Sequence, residues 1–226
     1  MEIVDVERGW TPPTEFQARD QPLLIRNGVS LFPQVQAWTG DLISKKYPQM
    51  KCKYAKDSRP VRSKMITTYS DFFANKAETF YTFTRTQYTP DDTAAFIEDF
   101  QFPNPLFTQN DIDKHIFFSG PAGTGALPHE HGAALNFLVS GEKRWVMFDA
   151  NTDKGSRYQQ YYYRKYPANH LSSEWFEQEY DQLMATADMK VYECVQQAND
   201  IVYIPAKFSH TTLNHTTVLG IVIELK

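Results

Sequence analysis

Cysteine is nearly absent: Cys52 and Cys194 are the only two in 226 residues. Two are too few for a disulfide-stapled scaffold or a thiolate zinc site. An excess of one charge is also lacking. Lys and Arg total 23 against 27 Asp and Glu, a net charge of −4, so there is no general pull toward nucleic acid or an anionic membrane. No apolar run approaches the roughly 18 residues of a membrane-spanning helix, and no membrane partner is expected. The opening MEIVDVERGWTPP lacks the basic region and apolar run of a secretory signal, which makes an intracellular, cytoplasmic location the expectation. Glycine-rich phosphate loops and Gly-x-Ser-x-Gly elbows are missing as well. What is present, 42% hydrophobic and 15% aromatic residues, describes a packed domain.

Patterning predicts one domain over residues 1–226 with its core at 115–226. Trp10 to Pro13 form a turn-rich lead, and QPLLIRNGV (21–29) reads as a strand ending at Asn27-Gly28. Val35, Trp38, Leu42 and Ile43 recur at helical spacing and predict one helix from Phe32 to Lys46. A strand over 50–56, a helix capped near Thr68 or Ser70, an aromatic strand over 80–88 and a turn-rich link over 89–110 follow. HIFFSG, LPHEHGAALNFLV and KRWVMFDA read as strands, the last two joined at Ser140-Gly141. An insertion over about 151–190 carries a helix near SSEWFEQEYDQLM, and four strand signals close the chain. Many short strands with one late helix predict a mostly β barrel or double-sheet fold.

His129 and His131 lie two apart in a predicted strand, so their imidazoles share one face while Glu130 points to the other. His210, beyond the Pro205 turn, is the natural third ligand, with Asn214 four residues later. Glu130 becomes a ligand only if the strand bulges there; otherwise it sits beside the site or on a solvated face. Three imidazoles on one face of an octahedral metal leave three positions open for oxygen and a bidentate molecule. In KRWVMF, alternation separates Lys143, Trp145 and Met147 from Arg144, Val146 and Phe148. The pattern alone favours a surface Lys143; on an inner face its ammonium needs a carboxylate partner. The run YQQYYYRKY (158–166) reads as a wall over the pocket mouth or the surface of a homodimer, His115 and His215 as structural, and His170 as part of the inserted loop.

The segments GTGALPHEHGAALNFLVSGEKRWVMF and NDIVYIPAKFSHTTLNHTTVLGIVI resemble the core of the JmjC branch of the cupin superfamily, especially small protein-hydroxylase members. The resemblance runs from about residue 16 to the end and implies a double-stranded β-helix (jelly roll) with N-terminal helices and strands and a helical insertion. It implies Fe(II) on His129 and His210, with His131 in the place of the carboxylate ligand. Lys143 matches the lysine that holds the distal carboxylate of 2-oxoglutarate, Asn136 the asparagine near the metal, and Asn214 and Trp145 residues packed around them. Asn199 and Lys207 stand where the family uses glycine.

Two departures matter. His131 removes a negative charge from the iron, and Ala126 and Val222 stand where relatives anchor 2-oxoglutarate with threonine, leaving Thr124 as a substitute. Three functions are therefore compared. One is a 2-oxoglutarate-dependent hydroxylase that uses molecular oxygen and an iron(IV)-oxo species on a protein side chain or small molecule. Another is a three-histidine cupin oxygenase that needs no keto acid. The last is a catalytically inactive JmjC-like interaction module.

Overall fold

The computed structural model describes residues 1–7, 12, 19–56, 58, 62–85, 98–101, 104–166, 170–186 and 188–226. The turn-rich lead at Trp10–Pro13 lies largely outside them, as do the end of the 80–88 strand and half of the 89–110 link. In chain order the first elements are β1 (Glu2–Asp5), β2 (Leu23–Arg26), α1 (Pro33–Gln36), α2 (Gly40–Lys46), β3 (Lys51–Ala55), β4 (Ile66–Thr68), α3 (Tyr69–Asn75) and β5 (Tyr81–Arg85). Then come β6 (Ile112–Gly120), β7 (Ala134–Ser140), β8 (Glu142–Asp149), α4 (Asp153–Lys165), α5 (Ser172–Gln178) and α6 (Tyr180–Thr186). The chain closes with β9 (Val191–Gln197), β10 (Ile201–Ile204), β11 (Phe208–Asn214) and β12 (Val218–Leu225).

The fold is mixed. A nine-stranded sheet has the order β1-β2-β10-β7-β12-β6-β5-β3-β4, and a three-stranded sheet the order β11-β8-β9. Strand alternation builds the layers. On β7 and β12, Leu135, Phe137, Ile221 and Ile223 pack with Trp38, Ile43, Tyr47 and Phe72 from the N-terminal helices. The opposite face of the same strands, with Ala134, Leu138, Val218 and Val222, meets Trp145 and Met147 of β8, Tyr192 of β9 and Phe208 of β11. Val146 and Phe148, on the outer face of β8, are covered by Tyr162, Tyr166, Trp175 and Leu183 of the insertion. The molecule is thus helices, large sheet, small sheet, helices, with a largely apolar layer between the two sheets.

Four expectations change. The helix over 32–46 is two, broken at Trp38-Thr39. There the Thr39 hydroxyl accepts from the Leu42 N–H (3.1 Å) to cap α2, and the Trp38 ring N–H turns to buried Asp99 (3.1 Å). The late helix is also two, parted at Glu179, whose buried carboxylate accepts from Lys165 and from the Tyr166 hydroxyl. The tyrosine run is itself a helix, α4, capped by Thr152 with Asp153 in its first turn and Arg164 and Lys165 in its last. It covers the outer face of the small sheet and not a pocket between the sheets.

The fourth concerns the histidine pair. Regular β7 begins only at Ala134, so His129 and His131 precede it. The segment 124–131 runs antiparallel beside β11: Asn214 N–H donates to Thr124 O (2.7 Å), Thr212 N–H to Ala126 O (3.0 Å) and Lys207 N–H to His131 O (2.9 Å). His129 and His210 exchange both backbone bonds, at 3.1 and 2.9 Å. Proline at 128 removes a donor and keeps the ladder irregular. Asn199 and Lys207, the two glycine replacements, both have left-handed backbones, with φ of 72° and 61°.

Candidate metal centre

The backbone pairing of His129 with His210 sets their rings 4.2 Å apart, and the His131 ring lies 4.7 Å from His210. Their ligand atoms all fall within 4.8 Å of one another. Each Nδ1 is bound to a main-chain carbonyl: His129 to Leu127 O (2.8 Å), His131 to Gly132 O (2.7 Å) and His210 to Phe208 O (2.9 Å). A carbonyl only accepts, so each Nδ1 carries the proton and each Nε2 keeps its lone pair. Burial, then His129 and His131 nearby, holds His210 well below the usual imidazole range, which keeps it neutral and ready to bind a cation. Three neutral Nε2 donors suit Fe(II) or another borderline divalent metal. The chain carries a three-histidine metal-binding site, and it is not the two-histidine, one-carboxylate arrangement.

The site faces a narrow cavity between the sheets, walled by Phe83, Ile204 and Val222 from the large sheet. Trp145 lines it from β8, its ring 5.8 Å from that of His210. The indole N–H of Trp145 donates to Gln196 Oε1 (2.8 Å), and the Gln196 amide donates to Asn136 O (2.9 Å) and Asp200 O (3.0 Å). This buried bridge ties β9 to β7 and β10, and the sequence reading missed it. Asn136 lines the cavity with its side-chain oxygen unpartnered among the described residues.

Lys143 stands on the inner face of β8, 1% exposed, with its Nζ 4.2 Å from the centroid of the Phe118 ring. No carboxylate among the described residues pairs with it, and burial pushes it down to about 7. A buried lysine facing a cavity without a counter-charge is the arrangement that an anionic ligand completes.

The remaining expected residues lie nearby or apart. Asn214 is opposite Lys143 in the β11–β8 register, and its amide donates to Thr124 Oγ1 (2.9 Å). Thr124 in turn donates to Pro121 O (2.6 Å), so its hydroxyl is occupied in both directions outside the cavity lining. Glu130 is exposed and does not line the cavity. His215 pairs with Glu142 and His170 with Glu174, both at 2.7 Å, while His115 is half-buried on β6. Thr212, which does line the cavity, was not singled out from sequence; its spacing of two from His210 on a strand was the available signal.

The two-sheet fold and this triad define a cupin/JmjC-like metal-binding domain. Residues 11–218 match the family described as the cupin-like domain, and the chain belongs to that family. It is 26% identical over 219 residues to a bifunctional arginine demethylase and lysyl-hydroxylase of Caenorhabditis briggsae, covering 88% of this chain and 54% of that protein. The protein of the same description from Caenorhabditis elegans is 24% identical over 226 residues, covering 92% and 56%. An arginine-specific demethylase of Arabidopsis thaliana is 21% identical over 218 residues, covering 89% and 41%. The chain spans about half the length of the first two of these relatives. No helix among the described residues is long and apolar enough to cross a membrane.

Proposed function

We propose that this protein is an Fe(II)-dependent oxygenase of the three-histidine type, built on a double-stranded β-helix core. The observation that carries the reading is the convergence of three imidazoles, each fixed by an Nδ1–H bond to a main-chain carbonyl. Iron held there supplies the oxygen-activating redox chemistry. The chain's own residues orient the imidazoles, and Phe83, Trp145, Ile204 and Val222 keep bulk water from the cavity. A neutral ligand set leaves the full metal charge in place for direct binding of an anionic or polar substrate. The relatives named for demethylase and hydroxylase activity favour a protein side chain as substrate, with a small molecule as the alternative.

A second reading, 2-oxoglutarate as cosubstrate, has its own supporting observation. Among the described residues Lys143 has no counter-charge, and it lies on the same cavity as the triad and as Asn136 with its open oxygen. In this reading Lys143 holds the distal carboxylate and Asn136 lies toward the metal end.

An anaerobic titration of metal-free protein with Fe(II), then 2-oxoglutarate, followed by visible absorption, tests both. Tight iron binding that weakens in His131→Ala supports the oxygenase. A charge-transfer band requiring both additions, and diminished in Lys143→Ala, supports the keto acid; tight iron binding without the band leaves the three-histidine oxygenase. Absence of iron binding overturns both and leaves a cupin-like scaffold used for contact.

A further inference from the structure

The inner face of β11 presents His210, Thr212 and Asn214 in succession, with Lys143 opposite Asn214 on β8. Thr212 therefore lies between the metal end of the cavity and the lysine end, diagonal to Lys143 and within reach of a long side chain. Thr212 is buried and lines the cavity. Its Oγ1 accepts from the Ala126 N–H at 2.9 Å, which fixes the hydroxyl oxygen. Among the described residues nothing accepts the proton of that hydroxyl.

The other buried threonine hydroxyls nearby are committed. Thr124 donates to Pro121 O at 2.6 Å, Thr211 to Ala126 O at 2.8 Å and Thr82 to Lys53 O at 2.9 Å. Thr212 alone in this group combines a backbone-anchored oxygen, an undirected proton and a place on the cavity wall. A buried hydroxyl proton without an acceptor is costly, and so is an unpaired ammonium; one carboxylate satisfies both.

We propose that Thr212 donates its hydroxyl to the same ligand carboxylate that Lys143 neutralises, forming a two-donor clamp for the acid end of a small dicarboxylate. This rests on the keto-acid reading above. It makes Thr212 the chain's substitute for the hydroxyl that Ala126 and Val222 lack, in preference to Thr124. Two donors converging on one carboxylate also select for a ligand with an anionic far end, because a neutral one leaves both donors unmatched.

The test is anaerobic calorimetric titration of the Mn(II)-loaded full chain with 2-oxoglutarate and with 2-oxovalerate, which has the same carbon count but no distal carboxylate. Thr212→Val keeps the side-chain shape and removes the hydroxyl; Thr212→Ser keeps the hydroxyl. Thr212→Val is expected to weaken 2-oxoglutarate about tenfold or more, as for a charge-assisted hydrogen bond, and to leave 2-oxovalerate unchanged. Thr212→Ser is expected to stay within about threefold of the parent. An equal loss for both ligands in Thr212→Val assigns the residue a merely structural role and overturns the proposal, as does no loss for either. A parent protein that binds 2-oxoglutarate no better than 2-oxovalerate overturns the keto-acid reading itself, and the clamp with it.

Discussion

Replacing Lys143 by methionine isolates what an unpaired buried ammonium costs the folded chain. Burial pushes Lys143 from an ordinary 10.5 down to about 7, with no charged partner offsetting it. Each unit of such displacement corresponds to about 1.4 kcal/mol. At pH 7 the metal-free fold therefore carries a penalty on the order of 4 kcal/mol relative to a chain without this charge. The folded-state value lies below the unfolded one, so the penalty is fully present below about pH 7 and fades as pH rises toward about 10.5. Methionine has similar length and is apolar, so it fits beside Phe118 without opening a cavity. Urea denaturation of metal-free parent and Lys143→Met at pH 7 and at about pH 9.5 measures the effect. The variant is expected to be the more stable at pH 7, and its advantage to shrink by roughly 3 kcal/mol at the higher pH. Groups common to both chains cancel in the difference. A variant less stable than the parent at pH 7, or a gap that does not change with pH, would refute the reasoning, because it means the ammonium is solvated or paired in the folded protein.

Other substitutions probe the metal and the framework. His210→Ala removes the most buried ligand and is expected to weaken Fe(II) binding by more than about a hundredfold in an anaerobic competition assay; an unchanged affinity places the metal elsewhere. Metal affinity should fall at acid pH, where protons compete for the imidazole lone pairs, and the burial that holds His210 well below the usual imidazole range delays that loss at this ligand; an anaerobic competition assay that shows no pH dependence would place the metal elsewhere. Gly125 has φ of +151°, and a Cβ there would lie 2.1 Å from Thr212 O, so Gly125→Ala is expected to cost more than about 2 kcal/mol in a denaturant titration. Asp99→Ala leaves the Trp38 ring N–H, the Tyr47 hydroxyl and Lys46 without their shared acceptor; a loss of about 3 kcal/mol is expected, and a neutral effect would show that water replaces the carboxylate.

The three histidines were legible because metal ligation restricts residue types and because an x-spaced pair keeps both rings on one side. The route to that geometry was not. His129 and His131 sit on an irregular segment pinned to β11, and backbone bonds from residues about 80 positions away orient it. Alternation in KRWVMF correctly grouped Lys143 with Trp145 and Met147, yet it left open which face was inward. That choice follows from Val146 and Phe148 being covered by α4, a helix whose polar, tyrosine-rich sequence concealed its role. The breaks at Trp38-Thr39 and at Glu179 were likewise hidden. Each is fixed by a buried carboxylate, Asp99 in one case and Glu179 in the other, whose partners are distant or locally ambiguous.

The amino-acid sequence by itself determined which residues can hold a divalent metal, where strands alternate, and that no carboxylate accompanies the histidine pair at position 131. These are local properties of residue type and spacing. The tertiary structure alone decided that Lys143 has no counter-charge among the described residues, that Thr124 is occupied while Thr212 has a proton to give, and that each imidazole is held through its Nδ1. Those facts depend on which groups meet across two sheets. Such meetings are set by packing between segments far apart in the chain, and spacing along the sequence does not encode them.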